Sequence, residues 1–115
     1  MKYLLMIYSG DKAWQEYNRL SVDEQSAVLG EYMAIQREDG AVGGEQLQPA
    51  DTATTVRVED GRTLTTDGPF PETKEALGGF YLFEADDLDR AIEIASRIPA
   101  ARMGGAIEVR PVVER

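Results

Sequence analysis

The segment from position 66 to position 75, TDGPFPETKE, combines chemically useful side chains with a restricted backbone. It carries the charged residues Asp67, Glu72, Lys74 and Glu75, while two prolines and a glycine limit its conformations. Carboxylates held rigidly beside a lysine can have shifted pKa values, which acid–base catalysis requires. The segment therefore predicts a site with Asp67 as the catalytic residue. The alternative is a solvated turn in which Asp67 only bonds amides of its own loop.

Further residues are expected to bind the ligand of such a site. They are aromatic or charged and lie in this segment or on the first strand: Tyr8, Phe70, Glu72, Lys74 and Glu75. In an enzyme, Lys74 or Tyr8 would act as the electrophilic partner of an Asp67 general base. A deep pocket around Asp67 favours an enzyme, whereas a segment lying flat against solvent favours an interaction module.

Histidine and cysteine are both absent from the sequence. Their absence excludes Ser-His-Asp triads, Cys-His pairs, thiolate zinc sites and imidazole-bound metals within this chain. The acids Asp86, Asp87 and Asp89 do not fit a calcium-binding loop, because Ala91 stands where the EF-hand pattern needs an acid or an amide. The sequence therefore predicts neither a metal site nor a cofactor.

The composition is acidic, with 21 Asp and Glu against 12 Lys and Arg and a formal net charge of −9. Nucleic acids and anionic membranes attract basic proteins, so neither is an expected partner. The apolar run at 3–8 is too short for the hydrophobic region of a signal peptide, and no small-residue cleavage site follows it. Together with the absence of cysteine, these features favour a cytoplasmic protein.

Four segments have the composition of strands, and they lie at 2–8, 41–47, 79–85 and 106–113. Alternate residues of a strand point to opposite sides of the sheet. In the first and third segments both sets of alternate residues are apolar, so these two strands are apolar on both faces. Such strands indicate a sheet that is covered on both faces.

A hairpin is predicted between the second and third of these strands. Segments 54–59 and 62–66 flank Asp60-Gly61, the preferred pair for a two-residue type I′ turn. This register places Glu59 opposite Arg62, which is a favourable cross-strand charge pair.

Two helices of ordinary length are predicted, one at 22–39 and one that begins after Asp86 and ends at Pro99. Ser21 and Glu24 have the spacing of a capping box at the start of the first. Apolar residues recur at helical spacing and are expected to face the core; they are Val28, Leu29, Tyr32, Ile35, Leu88, Ala91, Ile92, Ala95 and Ile98. A short helical turn is expected within 11–20.

Without the hairpin, the order of elements is β-α-β-β-α-β, the ferredoxin-like α+β arrangement, in a single domain at 1–115. Both helices of that fold cover one face of the sheet and leave the other bare. An apolar bare face is most simply covered by a second copy related by a two-fold axis, so a homodimer is expected. The alternative is a hairpin that folds over the bare face of its own sheet.

The chain also resembles the YCII-related, or DGPF-domain, family. The resemblance lies in Asp67-Gly68-Pro69-Phe70, in the residues that follow at 72–75 and 77–81, and in the segments 1–8, 43–47 and 107–112. It implies a ferredoxin-like fold that dimerises as an α+β barrel. Some members of the family are encoded near, or fused to, extracytoplasmic-function sigma factors, and some YCII-like proteins were proposed to be enzymes because of a His–Asp pair in a cleft. This chain has Asp67 but no histidine, so that pair is not carried over.

Three functions follow from these observations. The first is a small dimeric binding or regulatory module with a small-molecule pocket near the DGPF segment. The second is a small-molecule enzyme that uses Asp67 as a general base. The third is an interaction partner of a sigma-factor-type transcription regulator, which the family resemblance implies.

Overall fold

A computed structural model describes residues 1–69 and 75–115 of the chain. Its strands are β1 (Lys2–Gly10), β2 (Ala41–Gln46), β3 (Thr54–Glu59), β4 (Arg62–Asp67), β5 (Glu75–Glu84) and β6 (Ala106–Pro111). Its helices are α1 (Asp11–Asn18), α2 (Val22–Ile35), α3 (Leu88–Ser96) and α4 (Pro99–Arg102), with a 3₁₀ turn at Ala50–Thr52. Among the described residues, no helix is both long and apolar enough to cross a membrane.

Four of the strands form an antiparallel sheet in the order β2-β5-β1-β6. This is the strand order of the ferredoxin-like fold once the hairpin is set aside, so the predicted α+β class is confirmed. The central strand, β1, pairs with β5 on one side and with β6 on the other. Strand β5 is likewise interior, since it pairs with β1 and β2, so these two strands form the middle of the sheet.

Alternate residues of β1 and β5 build the core on the helical face of the sheet. Tyr3 lies opposite Phe83 and Leu5 lies opposite Tyr81, and all four side chains are buried. The phenol of Tyr81 donates a 2.8 Å hydrogen bond to the backbone carbonyl oxygen of Tyr32 on α2. This hydrogen bond gives the Tyr81 hydroxyl a partner, which a polar group in the core requires.

Helix α2 begins where the capping box predicts. The Ser21 hydroxyl accepts a bond from the Glu24 amide at 3.1 Å, and the Glu24 carboxylate accepts one from the Ser21 amide at 3.0 Å. These bonds hold the pKa of Glu24 below its ordinary value. The helix ends at Ile35, four residues before the predicted end, and the chain turns through Gly40 at φ +98° into β2.

Helix α3 begins one residue later than predicted, with Asp87 rather than Asp86 accepting the capping bond from the Arg90 amide. Its buried residues after the first turn are Ala91, Ile94, Ala95 and, just beyond its end, Ile98. The predicted burial of Leu88 and Ile92 was wrong, since each is 48 % exposed, and so was that of Leu29 on α2, which is 51 % exposed. Successive side chains of a helix are rotated by about 100° about its axis, and this rotation places Leu88 and Ile92 on the flank of α3 beside its buried face. Pro99 also opens the short helix α4 rather than only ending α3.

Strands β3 and β4 form a separate two-stranded sheet, called here the hairpin arm (Thr54–Asp67). Asp60 and Gly61 have φ values of 48° and 76°, as the predicted type I′ turn requires, and Glu59 lies opposite Arg62. Every strand residue of the arm except Thr55 is exposed. The radius of gyration is 16.0 Å, against about 13 Å for a compact domain of 100 residues. The arm therefore projects from the sheet, and the alternative in which it folds over the bare face does not hold.

The face of the sheet that is turned away from the helices carries Leu4, Met6 and Tyr8 from β1 and Phe80 and Leu82 from β5, called here the open face. Leu4 lies opposite Leu82 and Met6 lies opposite Phe80, so the side chains form matched cross-strand pairs. All five are partly exposed. The residues at 1–69 and 75–115 place no covering layer over them.

Candidate functional site

A groove of about 1160 Å³ opens at one end of the four-stranded sheet. It lies between the ends of β1, β5 and β6 and the segment at 47–53, which joins β2 to the hairpin arm. We call it the end groove; its side chains are Tyr8, Leu77, Ala106, Ile107, most of the residues at 47–53, and Pro69, Glu75, Ala76 and Glu108. Its lining is mainly apolar with a few polar groups.

The strand ends bring three of these residues into one row. Tyr8 lies opposite Leu77 on β5 and opposite Ala106 on β6. The register shifts between Ile7 and Tyr8, because Ile7 pairs with Gly79 and the next pair skips one residue of β5. Such a bulge re-aims side chains at the end of a sheet. Here it places Leu77 rather than Gly78 opposite Tyr8 at the mouth of the groove.

The Tyr8 hydroxyl has spare hydrogen-bonding capacity. It donates to the thioether sulfur of Met6, with 3.9 Å between the oxygen and the sulfur. A thioether is a weak acceptor, and the lone pairs of the phenol oxygen remain able to accept. Tyr8 is therefore suited to bond a ligand in the groove.

The segment at 47–53 is fixed by bonds to its own backbone and to β5. The Leu47 amide donates to the Gly78 carbonyl oxygen at 2.9 Å. The Thr52 hydroxyl and amide both donate to the Pro49 carbonyl oxygen, at 2.7 and 3.0 Å, and close the 3₁₀ turn. This side of the groove is thus preformed rather than assembled around a ligand.

The DGPF segment enters the groove through Gly68 and Pro69. The Gly68 amide donates to the Ala53 carbonyl oxygen, and the Gly68 carbonyl oxygen accepts from the Thr55 hydroxyl, both at 2.7 Å. Gly68 has φ +96°, a conformation that glycine adopts without strain. The turn joins the end of the hairpin arm to the 3₁₀ turn and carries Pro69 into the lining.

The structure brings together only some of the predicted site residues. Tyr8 and Glu75 line the end groove. Asp67 is the last residue of β4, lies opposite Thr54, is exposed and does not line the groove. Its catalytic role stays a prediction. The predicted binding residues Phe70, Glu72 and Lys74 lie outside the described residues.

Sequence reasoning missed the segment at 47–53 and the lining residues Leu77, Ala106, Ile107 and Glu108. These residues have ordinary types and carry no local motif. The signal that could have found them is topological, since antiparallel neighbours place the end of β1 beside the starts of β5 and β6.

The charged side chains that line the described part of the groove are both acidic, Glu75 and Glu108. The Glu108 carboxylate accepts a bond from the Arg110 guanidinium. Nowhere within 1–69 and 75–115 do three or more acids gather closely enough to hold a metal ion.

Comparison with known proteins places these features in a wider context. The sequence model of the YCII-related domain matches residues 1–115. The uncharacterized protein R00369 of Rhizobium meliloti (strain 1021) is 35% identical over 117 residues, covering 97% of this chain and 92% of that protein. The solved structure of 5-chloro-2-hydroxyhydroquinone dehydrochlorinase (TftG) from Burkholderia phenoliruptrix AC1100, in complex with 2,5-dihydroxybenzoquinone, is similar with a TM-score of 0.54. That similarity covers 100% of this chain and 96% of the other at 16% identity, so it concerns the fold alone.

Proposed function

The chain belongs to the YCII-related domain family, and from that premise we propose that it is a small homodimeric binding module whose ligand site is the end groove. The observation that carries this proposal is the convergence of Tyr8 and Glu75, two residues singled out by their chemistry, on one preformed groove beside the DGPF segment. The absence of cysteine supports a cytoplasmic setting for the module.

The groove has the properties of a small-molecule site. Ligand pockets usually occupy about 300–1,000 Å³ and are mostly apolar, with a few polar groups that orient the ligand. The end groove is of comparable size, at about 1160 Å³. Its polar groups include the Tyr8 phenol and the Thr52 hydroxyl.

The open face supports the homodimer. A soluble protein seldom leaves a broad apolar sheet face in water, and the hairpin arm does not cover this one. A second copy facing it across a two-fold axis would bury Leu4, Met6 and Phe80 with the same residues of its partner. We expect such an interface to bury on the order of 1,600 Å² or more in total.

A fragment screen read by thermal unfolding tests the binding function. A ligand that binds only the folded protein stabilises it by about 2.7 kcal/mol at 100 times its dissociation constant. Ala106→Trp places an indole in the groove, and Ala27→Trp adds the same group to the exposed surface of α2 as a matched control.

We expect fragments that raise the unfolding temperature of the wild type and of Ala27→Trp but not that of Ala106→Trp. If no fragment stabilises the wild type, or if the stabilising fragments act equally on all three proteins, the end groove is not the ligand site.

A further inference from the structure

The end groove and the open face share one side of the four-stranded sheet. Tyr8 belongs to both, and its cross-strand neighbours Leu77 and Ala106 line the groove. Glu108 also lines the groove, and it lies opposite Met6 of the open face. Residues that lie directly opposite each other in a sheet point to the same side. The floor of the groove is therefore a continuation of the open face.

The wall of the groove stands at one edge of the sheet. Apart from the strand ends, the residues of 1–69 and 75–115 that line the groove are Pro69 and members of the segment at 47–53. That segment follows β2, an edge strand of the sheet, and the turn at Gly68 ties Pro69 to it. The described residues thus give the groove a floor and one wall, and the groove opens towards the side where the open face lies.

The size of an ordinary dimer interface decides whether a second copy would reach the groove. A standard interface buries about 800 Å² on each partner, which corresponds to a roughly circular patch of about 16 Å radius. Tyr8 is two residues from Met6 along β1, a separation of about 7 Å in a strand. A second copy centred on Met6 would therefore cover Tyr8 and the floor of the groove around it.

We propose that a second copy of the chain supplies the remaining wall of the end groove, so that the ligand is bound between the two copies. The inference rests on the homodimer and the ligand site proposed above, and it joins them into one shared site. A ligand that contacts both copies binds the dimer more tightly than it binds a single chain. Because coupling between two equilibria is reciprocal, the ligand then strengthens dimerisation by the same factor.

The absence of cysteine from the chain allows a test by thiol labelling that needs no ligand. Ala106→Cys places a single thiol on the floor of the groove, at a position that is exposed in the chain alone. Ala27→Cys places one on the exposed surface of α2 as the matched control. Each thiol is labelled with iodoacetamide, a small reagent, and with a maleimide carried on polyethylene glycol, a bulky one. The rates are compared with those in the Met6→Glu background, which is expected to be monomeric.

We expect the bulky maleimide to label Ala106→Cys at least about tenfold more slowly in the dimer than in the Met6→Glu background, because the second wall restricts access to the thiol. Iodoacetamide should label it at similar rates in both, because a small molecule still enters a shared groove. Both reagents should label Ala27→Cys equally in the two backgrounds. If Met6→Glu does not fold, dilution of Ala106→Cys until the dimer dissociates should restore fast labelling by the maleimide.

The outcomes separate this inference from the proposals on which it rests. If the maleimide labels Ala106→Cys equally fast in the dimer and in the monomer, the second copy does not reach the groove, and the shared site is wrong while the dimer stands. If neither reagent labels Ala106→Cys in the dimer, the groove is sealed, and both the binding function and the shared site fail. If the wild type is monomeric at the labelling concentration, the homodimer fails and the shared site fails with it.

Discussion

Tyr81 packs in the core and also makes the stability of the protein depend on pH. Its ring is buried against the helices, and its hydroxyl donates to the backbone of α2. Burial raises the pKa of Tyr81 to about 12 from an ordinary value of 10.0, because the phenolate is disfavoured away from water. The folded state therefore holds the phenol proton more tightly than the unfolded state.

The sign of this shift predicts a loss of stability in alkali. The contribution is fully present below pH 10 and is lost as the pH rises through about 12, since only the folded state resists ionisation. We expect Tyr81→Phe to be less stable than the wild type at neutral pH, by about 1–2 kcal/mol from the lost hydrogen bond. Urea unfolding between pH 8 and 12 should show a smaller alkaline loss in Tyr81→Phe.

Replacement of glycine by alanine is expected to have opposite effects on stability at Gly40 and at Gly30. A Cβ at Gly40 would lie 2.3 Å from the Glu84 carbonyl oxygen, and the residue has φ +98°. Gly30 is helical, and a Cβ there would meet nothing within 4 Å. Gly40→Ala should destabilise the protein by about 2 kcal/mol or more, whereas Gly30→Ala should stabilise it by about 0.5–1 kcal/mol. Thermal unfolding measures both, and equal effects would refute this account of Gly40.

At the scale of elements, helix α3 shows how a sequence pattern can predict a helix and only part of its buried face. Ala91, Ala95 and Ile98 are buried as predicted, whereas Leu88 and Ile92 are exposed. Ile94, which the predicted stripe left out, is fully buried. Both sets of residues have helical spacing, and only the packing of the neighbouring elements, which the sequence does not show, decides between them.

Other elements were predicted closely because their signals are local. The capping box at Ser21 and the turn at Asp60-Gly61 depend on residues within four positions of each other. The end groove has no comparable signal, since Tyr8, Leu47 and Ile107 come from distant parts of the chain. Tyr8 and Glu75 were found by their chemistry, and the apolar lining could be found only from the assembled fold.

Truncation of two isoleucines on α3 tests its phase. Ile94 is fully buried and Ile92 is 48 % exposed, so the same loss of side-chain volume has different consequences. We expect Ile94→Ala to lower the free energy of unfolding by about 2–5 kcal/mol, since it leaves a cavity. Ile92→Ala should cost less than about 1 kcal/mol. Comparable losses measured by urea unfolding would mean that α3 packs on a different face.

At the scale of the whole molecule, the open face and the projecting arm make the chain flat, with principal extents of 49 × 41 × 18 Å. A broad shape of this kind leaves much of the apolar surface in water unless a second copy covers it. The exposed valines of the arm, Val56 and Val58, add to that surface. The molecule is therefore expected to be more stable in association than alone.

Light scattering on a variant that carries a charge in the middle of the open face tests the dimer. Met6 lies in the middle of the open face, so Met6→Glu should place two like charges across a two-fold interface and desolvate both. We expect a dimer for the wild type at micromolar concentration and a monomer for Met6→Glu. Val113→Glu adds the same charge at a residue that is 71% exposed beyond β6, and it should stay dimeric. A monomeric wild type would end the dimer proposal.

The central position of β1 has a consequence for how the protein is made. Its two partners, β5 and β6, begin at Glu75 and Ala106, so a strand translated early pairs with strands translated much later. At about 5–20 residues per second, the ribosome takes several seconds to supply the first partner and longer to supply the second. Meanwhile the hairpin arm can close at once, because its strands are separated by two residues. During biosynthesis, the apolar segment Leu4-Leu5-Met6-Ile7 is therefore expected to lack its partner strands until β5 has been translated, and slower translation at low temperature would lengthen that interval.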